Sequence, residues 1–70
     1  MFNKFKVGTK VIVYGPGESE GKFYKNIPAI VIDYDSYYED YYVRFNNGIE
    51  DWISKEYIRK PYTRKRSKSL

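Results

Sequence analysis

The chain has no cysteine and no histidine among its 70 residues. Without cysteine the fold cannot rest on disulfides, and without either residue no Cys/His set exists for a structural zinc. The same two absences remove the thiol nucleophile and the commonest general base, so the chain reads as a binding module and not as an enzyme. Long apolar runs are missing too. The longest strictly apolar stretch is Ala29 to Ile32, far below the roughly 20 residues that span a bilayer. The start, Met1-Phe2-Asn3-Lys4-Phe5-Lys6, carries no apolar signal region, and the expected location is the cytoplasm. No pattern calls for a cofactor, a metal or a small-molecule substrate.

What the chain does have is aromatic surface: nine Tyr, four Phe and one Trp. Each such ring buries roughly 150 to 250 Å², which lets a short chain build a core from packing alone. Charge is the second resource, and it is unevenly placed. Residues 1–58 hold seven Lys/Arg against all nine Asp/Glu, a net of −2, whereas residues 59–70 hold six cations and no acid. A mildly acidic body therefore bears a basic tail. Lysine outnumbers arginine nine to four, and Ile, Tyr, Asn and Lys are frequent, a composition that suits a bacterial or phage source with an AT-rich genome.

β-Branched and aromatic residues cluster between turn formers, and no stretch shows a sustained helical stripe. The expected strands are residues 10–14, 27–34, 41–45, 49–53 and 58–59, with a single 3₁₀ turn over 54–57. Pro28 is tolerated near the start of its strand or on an edge. In the third strand Val43 and Phe45 are the better core pair, with Tyr42 and Arg44 facing away. Asn47-Gly48 suits the two positive-φ positions of a type I′ turn, predicting a two-residue hairpin between the third and fourth strands. Residues 15–21, glycine-bounded and polar, read as an exposed loop. The fold class is thus mostly β: a five-stranded SH3-like barrel over residues 1–61, followed by a flexible basic tail over 62–70 that is disordered when unbound.

Three segments carry a family resemblance: Val7-Gly8-Thr9-Lys10-Val11, then Phe23-Tyr24 leading to Pro28-Ala29-Ile30-Val31, then residues 42–48 leading to Asp51-Trp52-Ile53. Over roughly residues 5–60 the chain resembles the Tudor and chromo-barrel branch of the SH3-like barrels. That resemblance implies an aromatic cage for methylated lysine or arginine, which would fall on Tyr14, Tyr24 and Phe45, with Asn47 at the amide position. Cation–π attraction is the physical basis of such a cage. Ile49 departs from the pattern, standing where many Tudor domains place a further aromatic.

Two other groups point to partners. Arg59, Lys60, Tyr62, Arg64, Lys65, Arg66 and Lys68 form a flexible cationic segment able to neutralise phosphates and release counterions, with Tyr62 adding a stacking contact. Lys10, Lys22, Lys25 and Arg44 would extend that track over the barrel. The leading expectation is a nucleic-acid partner, DNA or RNA. Tyr37, Tyr38, Tyr41 and Tyr42 form the second group. Rigid amphipathic rings favour interfaces, and the adjacent Glu39 and Asp40 repel phosphates, so this surface is expected to suit a protein partner. Asp33, Asp35, Glu39 and Asp40 lack the D-x-D-x-D-G spacing of a calcium loop and read as a solvated turn.

Overall fold

A computed structural model describes residues 5–19 and 21–61. Five antiparallel strands, β1 (Lys10–Val13), β2 (Ile27–Asp35), β3 (Asp40–Phe45), β4 (Glu50–Ser54) and β5 (Ile58–Arg59), form one curled sheet in the order β4-β3-β2-β1-β5. A 3₁₀ turn, Lys55–Tyr57, links β4 to β5. The architecture is a mostly β half-barrel, compatible with an SH3-like barrel. No helix among the described residues is long and apolar enough to cross a membrane.

The open side of the curl is crossed by the chain leaving β1. Gly17 bridges Ile53 of β4, and the Glu18 N–H donates to the Trp52 carbonyl at 3.0 Å. This crossing segment pairs with its own return: Tyr24 N–H donates to the Gly15 carbonyl, Gly17 N–H to the Lys22 carbonyl, and Pro16 stands opposite Phe23. Residues 15–17 of the stretch expected to be a loop are therefore one side of a short two-stranded ribbon, while Glu18, Ser19 and Gly21 are exposed as expected. Its composition hid this, because the two glycines at its inner positions are demanded by contact. A Cβ on Gly15 would lie 2.3 Å from the Tyr57 ring, and one on Gly17 would lie 2.0 Å from Asp51 Oδ2.

Period-2 alternation sorts the sheet into two faces. Val11, Val13, Ala29, Val31, Tyr41, Val43, Phe45, Ile53 and Ile58 point inward with Phe5 and Tyr24 to form the core. A bulge between Val31 and Asp33 shifts the β2–β3 register. One extra residue in β2 exchanges its faces beyond that point, so Tyr34 turns inward against Tyr41 at a ring separation of 4.8 Å. Pro28 costs the ladder nothing here. It pairs with Ile12 of β1, while the β3 ladder starts only at Ala29.

The β3–β4 connection differs from the expected type I′ turn. Gly48 has φ +92, but Asn47 is not in the left-handed region. Gly48 N–H donates to the Phe45 carbonyl at 2.9 Å, and Phe45 N–H to the Ile49 carbonyl at 2.8 Å. This is a three-residue loop, a type I turn completed by a left-handed glycine. The Asn47 side chain stabilises it by accepting from Ile49 N–H at 3.0 Å.

Candidate nucleic-acid interface

The cations of the body are sorted by the same alternation that builds the core. In β1, Lys10 and Ile12 face outward because Val11 and Val13 face in, and register places Lys10 beside Ile30 and Ile30 beside Arg44. Arg59 of β5 stands beside Ile12. Lys10, Arg44 and Arg59 therefore share the outer face of the sheet, around exposed apolar surface from Pro28 and Ile30. A groove of about 330 Å³ on this face has Lys10, Ile12, Pro28, Ile30, Asn46 and Pro61 in its lining. Pro61, the last described residue, is part of this lining. Lys60 is exposed beside it. Tyr62, Arg64, Lys65, Arg66 and Lys68 lie outside the described residues.

These cations are not equally available. Arg44 is held by Glu50, with Nε 2.8 Å from Oε2 and a second contact from its terminal nitrogen. Arg59 lies over the Tyr14 ring, 5.9 Å from its centroid, and reaches the Asn26 side chain at 3.4 Å. Arg59 also donates to the Lys60 carbonyl at 3.2 Å, and none of these three partners is anionic, so among the described residues it pairs with no carboxylate. Lys22 and Lys25 are exposed on the returning strand of the ribbon, on either side of Phe23 and Tyr24.

Acids gather at the far end of β2, a strand of nine residues, or roughly 26 Å at 3.3 Å per residue. Several of them build the β2–β3 turn. Asp35 Oδ1 accepts from Tyr37 N–H at 2.9 Å, Asp33 accepts from Tyr34 N–H at 2.7 Å, and Glu39 pairs with Lys55. That ion pair, hydrogen bond first and charge second, holds the Lys55 ammonium above its ordinary pKa. Desolvation, then a hydrogen bond with Asp40 and repulsion from Asp40 and Asp51, raise the Glu18 pKa above its ordinary 4.5.

The residues assigned to a cage do not surround an opening. Tyr24 and Phe45 are brought together, but as a stacked pair 4.4 Å apart, with 8% and 4% of their surface exposed. Tyr14 lies on the outer side with Arg59, and Asn47 belongs to the hairpin turn. The tyrosine cluster also divides. Tyr37 and Tyr38 are 82% and 69% exposed and meet edge to face at 4.6 Å. Tyr42 is half-buried against Trp52. Tyr41, expected at an exposed protein-binding surface, is a core residue with 2% exposure, packed edge-on against Phe5. The alternation that buries Val43 and Phe45 carries Tyr41 inward with them.

Asp51 was the residue the pattern concealed. It is fully buried in β4, accepts from the Tyr24 hydroxyl at 2.9 Å through Oδ2, and accepts from Ser19 and Trp52 N–H at 2.8 Å through Oδ1. A buried carboxylate survives only when its lone pairs are satisfied, and here they anchor the crossing ribbon to β4. The signal was available in residues 49–53, where the inward phase of Ile53 puts Asp51 inward as well. A search of family models, curated proteins and solved structures finds no match to this chain.

Proposed function

We propose that the chain is a non-enzymatic nucleic-acid-binding module, in which the outer face of the half-barrel positions a phosphate backbone and the basic segment after Pro61 supplies most of the affinity. The observation that carries this reading is the shared outer face of Lys10, Arg44 and Arg59, from which the chain runs directly into four further cations at 64, 65, 66 and 68. Asp33 and Glu50 share that face, Glu50 held by Arg44 and Asp33 three residues beyond Ile30, while Asp35 and Glu39 lie at the β2–β3 turn. Phosphate neutralisation by lysine and arginine releases counterions, so affinity depends steeply on salt. Fluorescence anisotropy with short DNA and RNA, comparing the full chain with one truncated after Lys60 at low and near-physiological salt, tests the reading. Truncation should remove most of the affinity and flatten the salt slope. Unchanged binding after truncation refutes it.

The exposed, edge-to-face Tyr37–Tyr38 pair favours a second reading, a protein-docking module, in keeping with a small phage or mobile-element factor. Its acidic neighbours suit a basic or neutral protein surface better than phosphate. The Tudor and chromo-barrel likeness would supply a third, a methyl-lysine reader. The Tyr24–Phe45 stack weighs against it, because those ring faces are turned to one another and not to a ligand.

A further inference from the structure

The crossing ribbon, residues 14–17 and 22–25, has a sharply sided surface. Gly15, Gly17 and Tyr24 are buried on its inner side, while Tyr14, Pro16, Phe23 and Lys25 are exposed on the other. Phe23 is 67% exposed and stands opposite Pro16, and Tyr14 is 38% exposed. A phenylalanine left that far in water contributes little to the core. Its position is no accident of a loose loop, since the ribbon is pinned from within by Tyr24 on Asp51 and by Gly17 on Ile53. Lys22 and Lys25 are exposed on the strand of the ribbon that carries Phe23, and Arg59 lies over Tyr14. Through Tyr14 and Arg59 the ribbon is continuous with the outer face of the sheet.

Exposed aromatic faces interleaved with cations offer two things at once, a surface for flat π systems and charge for the backbone that joins them. In a duplex the base faces are occupied by their neighbours and only edges are presented. We infer that Tyr14 and Phe23 form a base-stacking platform, so that the nucleic acid this chain takes is single-stranded, DNA or RNA, with its phosphates running over Lys25 and Arg59. The inference rests on the nucleic-acid reading above and adds to it the class of strand and the residues that select it.

The test uses the full chain and three labelled probes: a strand of about twelve thymidines, a uridine strand of equal length and a duplex of that length. The wild type binds the single strands at least about tenfold tighter than the duplex. Phe23→Ala lowers single-strand affinity by about 5- to 100-fold, as expected for one lost stacking contact. It leaves the salt slope and the duplex affinity unchanged, because no charge is removed. Phe23→Trp retains single-strand binding. An unchanged Trp52 unfolding curve for each variant confirms the fold. Salt-dependent binding that Phe23→Ala does not weaken, or tighter binding of the duplex, overturns the platform and leaves the nucleic-acid reading standing. Failure of the wild type to bind any probe overturns both and turns attention to the Tyr37–Tyr38 surface as a protein contact. The relative affinity for the thymidine and uridine strands decides between DNA and RNA within the same chemistry.

Discussion

Tyr24→Phe removes one hydroxyl and nothing else. The ring keeps its stack on Phe45 at 4.4 Å, so the transfer of apolar surface is unchanged. What is lost is the 2.9 Å hydrogen bond to Asp51 Oδ2. Asp51 has no exposure to water, and water cannot readily replace the missing donor. Hydrogen bonds to charged groups contribute about 1.5 to 3 kcal/mol, and a buried acceptor left unsatisfied carries its desolvation cost in full. A domain of this size has a total stability of about 4 to 10 kcal/mol, so the variant should lose a large fraction of it. Read as a melting temperature, the loss amounts to about 6 °C or more.

Urea unfolding followed through Trp52 measures the change, since the single tryptophan sits half-buried in β4 against Tyr42. Tyr37→Phe serves as the control. It deletes the same atom from a side chain 82% exposed and should move stability by no more than about 0.5 kcal/mol. A double-mutant cycle with Asp51→Asn then isolates the pair, and its coupling should account for most of the Tyr24→Phe loss. If Tyr24→Phe costs less than about 0.5 kcal/mol, the buried carboxylate does not anchor the crossing ribbon, and the account of the closed side of the barrel is wrong.

Gly17→Ala should cost more than about 3 kcal/mol, because the new Cβ lands 2.0 Å from Asp51 Oδ2 and 2.7 Å from the Tyr24 ring. Gly48→Ala should cost only about 1 to 2 kcal/mol, since its Cβ meets nothing and the penalty is its φ of +92. Gly48→Asn recovers part of that loss and Gly17→Asn recovers none, both readable by thermal melting. Glu18→Gln should stabilise the fold near pH 7. A carboxyl whose pKa is raised in the folded state binds its proton more tightly there, so stability falls as pH rises from below 4.5 through the raised value. The advantage of the glutamine variant should therefore vanish below about pH 4, and a gain that persists in acid would refute this assignment. Arg59→Gln should lower the salt slope of single-strand binding by about 0.7, the share of one phosphate contact, without altering the unfolding curve. An unchanged slope would remove Arg59 from the interface.

Much of the sheet was legible because it follows from alternation and turn chemistry. Five strands at nearly their observed bounds, the 3₁₀ turn before β5 and the inward phase of Val43 and Phe45 all came from residue types spaced two apart. Three features escaped, each for a physical reason. The type I′ expectation failed because Asn-Gly satisfies more than one tight hairpin, and the choice falls to the flanking ladder, here Phe45 with Ile49. The ribbon of residues 14–17 and 22–25 was hidden because its inner glycines are selected by steric contact with Tyr57 and Asp51, and neither neighbour is near in sequence. Tyr34 could not be placed because its direction depends on a bulge two to three residues earlier.

The candidate site was legible in a different way. Charge totals along the chain separate a basic tail from an acidic body, but a total says nothing about direction. Only the fold turns Lys10, Arg44 and Arg59 to one face while moving the acids of the β2–β3 turn to the far end of β2. A body with a net charge of −2 over residues 1–58 would by its sum alone repel a phosphate chain. At an ionic strength where the Debye length is about 8 Å, however, Asp33 and Asp35, three and five residues beyond the Ile30 position where Lys10 and Arg44 pair, or roughly 10 to 17 Å along β2, are partly screened, and a bound strand senses the nearer cations more strongly. The same reasoning sets the limit of the interface. Moving positive charge toward the turn, for instance by exchanging Arg59 and Asp35 in a double variant, should weaken binding and lower its salt slope by about one phosphate contact even though the net charge is conserved, whereas an interaction governed by total charge would be unaffected.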